Sequence, residues 1–192
     1  MEKLISVLNF GGILSSQDID MVAFHFKGRK LKADEHFQTF HRVANEIAFV
    51  ESGILRVYAA DDKGNEVTKY FIRENQFFVD LESYYTTKPA TDIFQAVTNS
   101  ELYTIHKSVI ERLSNEIPNL YIFIKSITEA NLLNKIKDND FLNFGDAKTK
   151  YIEFVKRYPV LAQQVPQQYT ASYLKITPQS LSRIRKELAK NS

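Results

Sequence analysis

Between Tyr169 and Leu188 the chain reads YTASYLKITPQSLSRIRKEL, and its polar residues are of the kinds that touch nucleic acid. Gln179 has the amide that pairs with adenine N6/N7, and Arg183 the planar fork that pairs with guanine O6/N7. Ser180 and Ser182 can bond a base or a phosphate, and Lys186, with Lys148 and Lys190 in the flanking chain, offers charge to phosphate oxygens. Other chemistries lack their residues. There is no cysteine, which removes disulfides, thiolate zinc sites and cysteine-ligated clusters. No glycine-rich phosphate loop, Ser/His/Asp set or carboxylate pair can be assembled. His36 and His41 are five positions apart, which in a strand sends them to opposite faces and away from a shared metal. The residues therefore imply no enzyme, no metal and no resident cofactor.

Two short helices with a tight turn must position those side chains. Ala171 and Leu174 face inward from the first; Lys175, Ile176 and Thr177 make the turn, with Ile176 plugging the angle. Thr177 is an N-cap residue, and Pro178 sits at the first helical position, where its missing N–H costs nothing. Leu181, Ile184 and Leu188 then recur at spacings of three and four, one apolar stripe. This is the pattern of a helix-turn-helix whose second helix enters a major groove. Glu187 is the only carboxylate of that second helix, whereas a merely solvated helix is usually laced with acid–base pairs.

Charge is partitioned along the 192 residues. Residues 147–192 hold nine Lys/Arg against two carboxylates, and residues 1–146 hold sixteen against twenty-one. A basic C-terminal module on an acidic body fits binding to nucleic acid by one end. No stretch approaches the length and apolarity of a membrane span, and the N-terminus lacks a signal-peptide pattern, so a cytoplasmic location is expected.

Ser15 and Ser16 cap a helix with Ile19, Val22, Ala23 and Phe26 inward. From about Lys30 short segments rich in β-branched and aromatic residues recur: 31–40, 47–50, 54–60, 66–72, 76–79, 93–97 and 102–106. Ser52-Gly53 and Asp61–Asn65 supply turn chemistry between them. Evenly spaced short strands predict a small antiparallel barrel or roll. The pattern turns helical after Ser108, and residues 119–142 hold no Gly or Pro. Ile117, Leu120, Ile124, Ile127, Asn131 and Asn134 alternate by three and four, which fits a coiled-coil dimer seam or a helix packed on the chain's own roll; apolar residues on more than one face suit both, one face on the roll and another on a second subunit. Ala147–Tyr158 is a further amphipathic helix closed by Pro159.

A roll, a long helix and a C-terminal helix-turn-helix resemble the layout of the Crp/Fnr family of transcription regulators over residues 14–190. Phe49–Gly53 leading into Leu55–Tyr58 looks like the family's second-strand signature. Gly64–Glu66 with Tyr70-Phe71 looks like its next hairpin, and Tyr173–Arg183 closely resembles its recognition segment. The resemblance implies an α+β fold: an N-terminal antiparallel β-roll like a cyclic-nucleotide-binding domain (a double-stranded β-helix), a connecting and dimerisation helix, and a DNA-reading helix-turn-helix. It further implies a homodimer through the long helix, double-stranded DNA with an inverted repeat, and RNA polymerase as a further partner.

Residue by residue, the family's DNA contacts fall on Thr177, Pro178, Gln179, Ser180, Ser182, Arg183 and Lys186. Pro178 departs from the pattern because it offers no hydrogen bond, and Lys175 departs where glycine is common in the turn. The cyclic-nucleotide site does not carry over. Binding members have Gly-Glu at the start of the phosphate cassette and Arg-Ser or Arg-Thr at its end. Here those places read Val79-Asp80, followed by Leu81, and Ala90-Thr91. Lys88 is a nearby cation without the arginine fork. The pocket is expected to be degenerate for cyclic nucleotides, and the residues identify no other effector. The expected segments are a sensor roll at 1–107, connecting and dimerisation helices at 108–143 and a DNA-binding domain at 144–192. The alternative is a small-molecule sensor that acts through a protein partner instead of DNA.

Overall fold

The computed structural model describes residues 1–190. Two compact units emerge: residues 1–57 with 71–130, and residues 58–70 with 131 onward. They divide the chain by packing, whereas the three segments read from the sequence divide it by role; the last two positions of the segment 144–192 lie outside the described residues.

In the first unit, α1 (Glu2–Leu8) and α2 (Ser16–Phe24) precede the strands. Residues 4–9, apolar in sequence, are largely helix α1. Ser15 begins α2 as expected, in a capping box: its hydroxyl accepts from the Asp18 N–H while the Asp18 carboxylate accepts from the Ser15 N–H. The strands are β1 (Lys27–Leu31), β2 (His36–Gln38), β3 (Glu46–Ser52), β4 (Leu55–Ala60), β5 (Glu66–Ile72), β6 (Phe77–Phe78), β7 (Ile93–Ala96) and β8 (Ser100–His106). They form two four-stranded sheets, β1-β8-β3-β6 and β2-β7-β4-β5. Where one strand is expected over 31–40, the chain breaks into β1 and β2 on different sheets, with Asp34 left-handed between them.

Gly53 turns β3 into β4 with φ +102°, and a Cβ there would lie 2.7 Å from the Ser100 Cα, so no other residue fits without backbone movement. Helix α3 (Leu81–Thr86) fills the connection from β6 to β7, and α4 (Lys107–Glu116) follows β8. The core joins Leu4, Leu8, Ile19, Val22, Phe49, Ile105, Leu113, Ile117, Leu120 and Phe123. Phe77 contributes its ring against Phe26, Phe49 and Phe123.

Helix α5 (Pro118–Asn143) opens with proline at its first position, where the missing N–H costs nothing, and runs 26 residues. The dimer seam read from the sequence is corrected here. Ile117 and Leu120 are buried in the core just described, and Ile124 and Ile127 pack against it. Periodicity found an apolar face but could not say that the chain's own roll covers it. The exposed apolar residues of α5 are instead Tyr121, Ile122, Leu132, Leu133 and Ile136. Four of these, Ile122, Leu132, Leu133 and Ile136, cluster along one stripe at 100° per residue, with Lys125 and Glu129 between them.

The second unit adds α6 (Ala147–Arg157), α7 (Pro159–Gln164), α8 (Gln167–Tyr173) and α9 (Pro178–Lys190). Pro159 does close α6, but it also occupies the first position of α7, a helix not expected from the sequence. Phe154, Leu161, Ala171, Leu174 and Leu181 are buried here, and the Phe154 ring lies 5.8 Å from that of Tyr173. No helix among the described residues is long and apolar enough to cross a membrane.

Candidate functional site

The turn from α8 to α9 is built as the residue types require. The Ile176 N–H reaches back to the Ala171 carbonyl at 3.0 Å, and Lys175 takes φ +57°. That left-handed position explains why glycine suits the turn, and lysine there costs about 1 kcal/mol. Lys175 Nζ donates to Asn143 Oδ1 at 3.0 Å. Thr177 caps α9: its hydroxyl accepts from the Ser180 N–H at 3.1 Å and its carbonyl from the Leu181 N–H at 3.0 Å. Gln167 Nε2 donates to the Pro178 carbonyl at 2.9 Å, tying the start of α9 to the start of α8.

Leu181 and Ile184 are buried and Leu188 is half-buried, so the stripe read from the sequence is the inner face of α9. At 100° per residue Gln179, Ser182, Arg183 and Lys186 share the opposite face. Gln179, Arg183 and Lys186 are exposed there and Ser182 is half-exposed. Two further candidates stand apart. Ser180 lies about 100° around from Gln179, and its hydroxyl oxygen is 2.9 Å from that of Thr177. Pro178 is exposed at the helix start but brings no donor. Lys148, a cation of the same basic segment, forms an ion pair at 2.5 Å with Glu187, the one carboxylate of α9.

The cassette residues sit around α3. Asp80 is the N-cap of that helix: one carboxylate oxygen accepts from the Ser83 N–H at 3.0 Å and the other from Gln38 Nε2 at 3.5 Å. Ser83, itself buried, donates its hydroxyl to the Lys88 carbonyl at 2.6 Å and accepts from the Ala44 N–H at 2.9 Å. The Ala90 N–H is taken by the Arg42 carbonyl at 2.9 Å. Val79 is half-buried and Ala90 buried, while Leu81, Lys88 and Thr91 are exposed. The segment is thus tied by hydrogen bonds to Gln38, Arg42 and Ala44, and the Asp80 carboxylate serves as a helix cap. Close by in sequence, the Phe78 ring stacks with Phe94 and meets Phe37 edge-on at 5.0 Å. Tyr84 is pinned by Lys107, which donates to its carbonyl at 2.6 Å and lies over its ring. Burial first, then the neighbouring Glu111 and Tyr85, push the Tyr84 hydroxyl up to about 12.

Several contacts in the second unit were not signalled by the sequence. Asp138 on α5 accepts from the hydroxyls of Tyr158 and, at 3.3 Å, Tyr173, and lies 3.7 Å from Arg157. On β5, the Thr68 N–H donates to Ser172 Oγ at 2.9 Å, and Lys135 Nζ sits 4.1 Å from the Tyr70 ring centre. Each joins residues far apart in the chain, which periodicity and capping rules do not address. Among the described residues, no group of three His, Asp or Glu side chains is placed to hold a metal ion.

Residues 29–116 match the cyclic nucleotide-binding domain family. No curated protein matches the chain in sequence. Among solved structures, the c-di-GMP responsive global regulator CLP of Xanthomonas campestris is similar with a TM-score of 0.74 at 16% identity, over 92% of this chain and 93% of CLP. FixK2 of Bradyrhizobium japonicum gives 0.71 at 16% identity, over 86% and 85%. A transcriptional regulator of the Crp/Fnr family from Eubacterium rectale gives 0.72 at 11% identity, over 97% and 88%. At these identities the likeness speaks for the fold. Residues 29–116 thus resemble a cyclic nucleotide-binding domain, and along most of its length the chain has a fold like that of solved Crp/Fnr-type regulators.

Proposed function

We propose that this protein is a cytoplasmic, homodimeric, sequence-specific DNA-binding regulator of transcription. The observation that carries the reading is the outward face of α9, where Gln179, Ser182, Arg183 and Lys186 stand together on a helix whose opposite face is packed. Gln179 and Arg183 supply base-edge recognition; Lys186 supplies phosphate contact without sequence information. Thr177 and Ser180 spend their hydroxyls on the helix cap, so they fix the start of α9 more than they read bases. Pro178 packs against the groove wall without a polar contact.

Two such helices related by a two-fold axis would enter successive major grooves about 34 Å apart, which requires an inverted-repeat site. The stripe of Ile122, Leu132, Leu133 and Ile136 on α5 is the surface through which two copies associate. RNA polymerase is a further partner on this reading. The roll does not bind cyclic nucleotide: Ala90 and Thr91 stand where a phosphate would need an arginine, and a buried phosphate without its countercharge costs several kcal/mol. Any effector of the roll is of another class.

Selection of random duplex DNA by purified protein at roughly 0.15 M salt, with Arg183→Ala in parallel, tests this reading. The wild type is expected to enrich a palindrome, and the variant to lose discrimination at one position of each half-site, worth about 1–3 kcal/mol. Absence of enrichment by the wild type would count against DNA reading and favour a sensor acting through a protein partner.

A further inference from the structure

We infer that the tip of the β4–β5 hairpin holds the helix-turn-helix in its reading orientation, through the bond from the Thr68 N–H to Ser172 Oγ on α8. The inference rests on the DNA reading proposed above and adds a device for controlling it. β5 is the outer strand of its sheet, so one row of its backbone groups has no neighbouring strand to bond. Thr68 satisfies its N–H with a side chain 104 residues further along the chain. On the Thr68 side the contact is buried, for Thr68 is only 4% exposed, while Ser172 is half-buried.

Ser172 does not act alone. The next residue, Tyr173, sends its hydroxyl to Asp138 on α5, while Lys135 of α5 covers the Tyr70 ring at the end of the hairpin tip. Two consecutive residues of α8 are therefore tied to two different elements, the hairpin and the long helix.

Two features mark the contact as a device for switching rather than for stability alone. The Thr68 hydroxyl is buried without a hydrogen-bond partner among the described residues, so the closed arrangement carries a penalty that opening would relieve. And a single neutral hydroxyl bond is weak enough to be broken by a ligand or partner with modest preference for the open form. The reading face of α9 is exposed while the bond is made, so closure does not cover the DNA-binding residues. It pre-organises them. Loss of the bond should leave the helix-turn-helix less restrained and weaken binding to a site that demands a fixed spacing.

The test uses the full chain, with amide exchange at Thr68 followed by NMR and affinity measured for the duplex that the wild type selects. In Ser172→Ala the Thr68 amide is expected to exchange about tenfold faster. DNA affinity should fall about three- to tenfold, with base preference unchanged. Ser172→Thr, which keeps the hydroxyl, should restore both. Wild-type exchange at the Leu102 amide of β8 reports that the roll is intact in each variant. Unchanged exchange at Thr68, or faster exchange with unchanged or tighter DNA binding, overturns the inference. Exchange is read without DNA, so a protein that selects no duplex defeats the DNA reading while the bond itself is still tested.

Discussion

Glu51 shows how much one carboxylate organises at the edge of the roll. One oxygen accepts from the Met1 ammonium at 2.6 Å and the Lys3 N–H, and the other from the Leu4 N–H, so it gathers the first turn of α1. Burial alone pushes this carboxyl up; the ammonium bond and the two backbone N–H groups outweigh it and hold the group below its ordinary value of 4.5. A carboxylate whose folded value is depressed contributes stability that is present above the unfolded value and is lost as pH falls through the folded one. Glu51→Gln should therefore lower the melting temperature near neutral pH, with the difference from wild type closing as the pH is taken down through and below 4.5. Thermal melts of both proteins between neutral pH and pH about 3 check it; parallel curves would mean that the carboxylate's charge contributes nothing. Nothing in the sequence singles out Glu51, because its partners come from the far end of the first fifty residues. Thr177 is the opposite case. Its role is local, and the succession Thr-Pro before an apolar stripe announces a cap that the bonds to Ser180 and Leu181 bear out.

Helices and strands were legible to the degree that their cause is local. The β5 strand, the cap of α2, and the start of α5 at Pro118 all follow from turn chemistry, capping and alternation. Helix α7 is not legible because it has only 6 residues, Pro159–Gln164, too few to show an apolar period. The faces of α5 are legible only as alternatives for a different reason: Ile117 and Leu120 have the spacing of a seam and equally of a face packed on the roll, and spacing does not say which body fills it. This has a measurable consequence. Replacing both Leu132 and Ile136 by glutamate on the exposed stripe should shift the protein toward monomer in sedimentation equilibrium, with its melting cooperativity kept. Leu120→Ala should instead cost about 2–5 kcal/mol in denaturant unfolding, as truncation of a fully buried side chain does, because Leu120 is 1% exposed within the core. If Leu120→Ala caused dissociation and the stripe variants did not, the corrected assignment of the two faces would be wrong.

For the whole molecule the decisive quantity is the separation of charge, nine cations against two carboxylates in residues 147–192 on a body of opposite sign. The total of +2 conceals it, so net charge alone would have said little about a polyanionic partner. The structure refines which cations are available. Lys148 spends its charge on Glu187 at 2.5 Å, whereas Lys186 is exposed on the same face as Gln179 and Arg183. Counterion release makes the logarithm of the binding constant fall with the logarithm of salt by about 0.9 for each phosphate neutralised. In a dimer each substitution is made twice, so Lys186→Ala should reduce the slope by about two and weaken matched and mismatched duplexes alike. Lys148→Ala should leave the slope nearly unchanged. Titrations of the selected duplex from about 0.05 to 0.2 M salt distinguish the two. A loss of slope at Lys148 with none at Lys186 would place the phosphate backbone against α6, and the reading face of α9 would have to be redrawn around it.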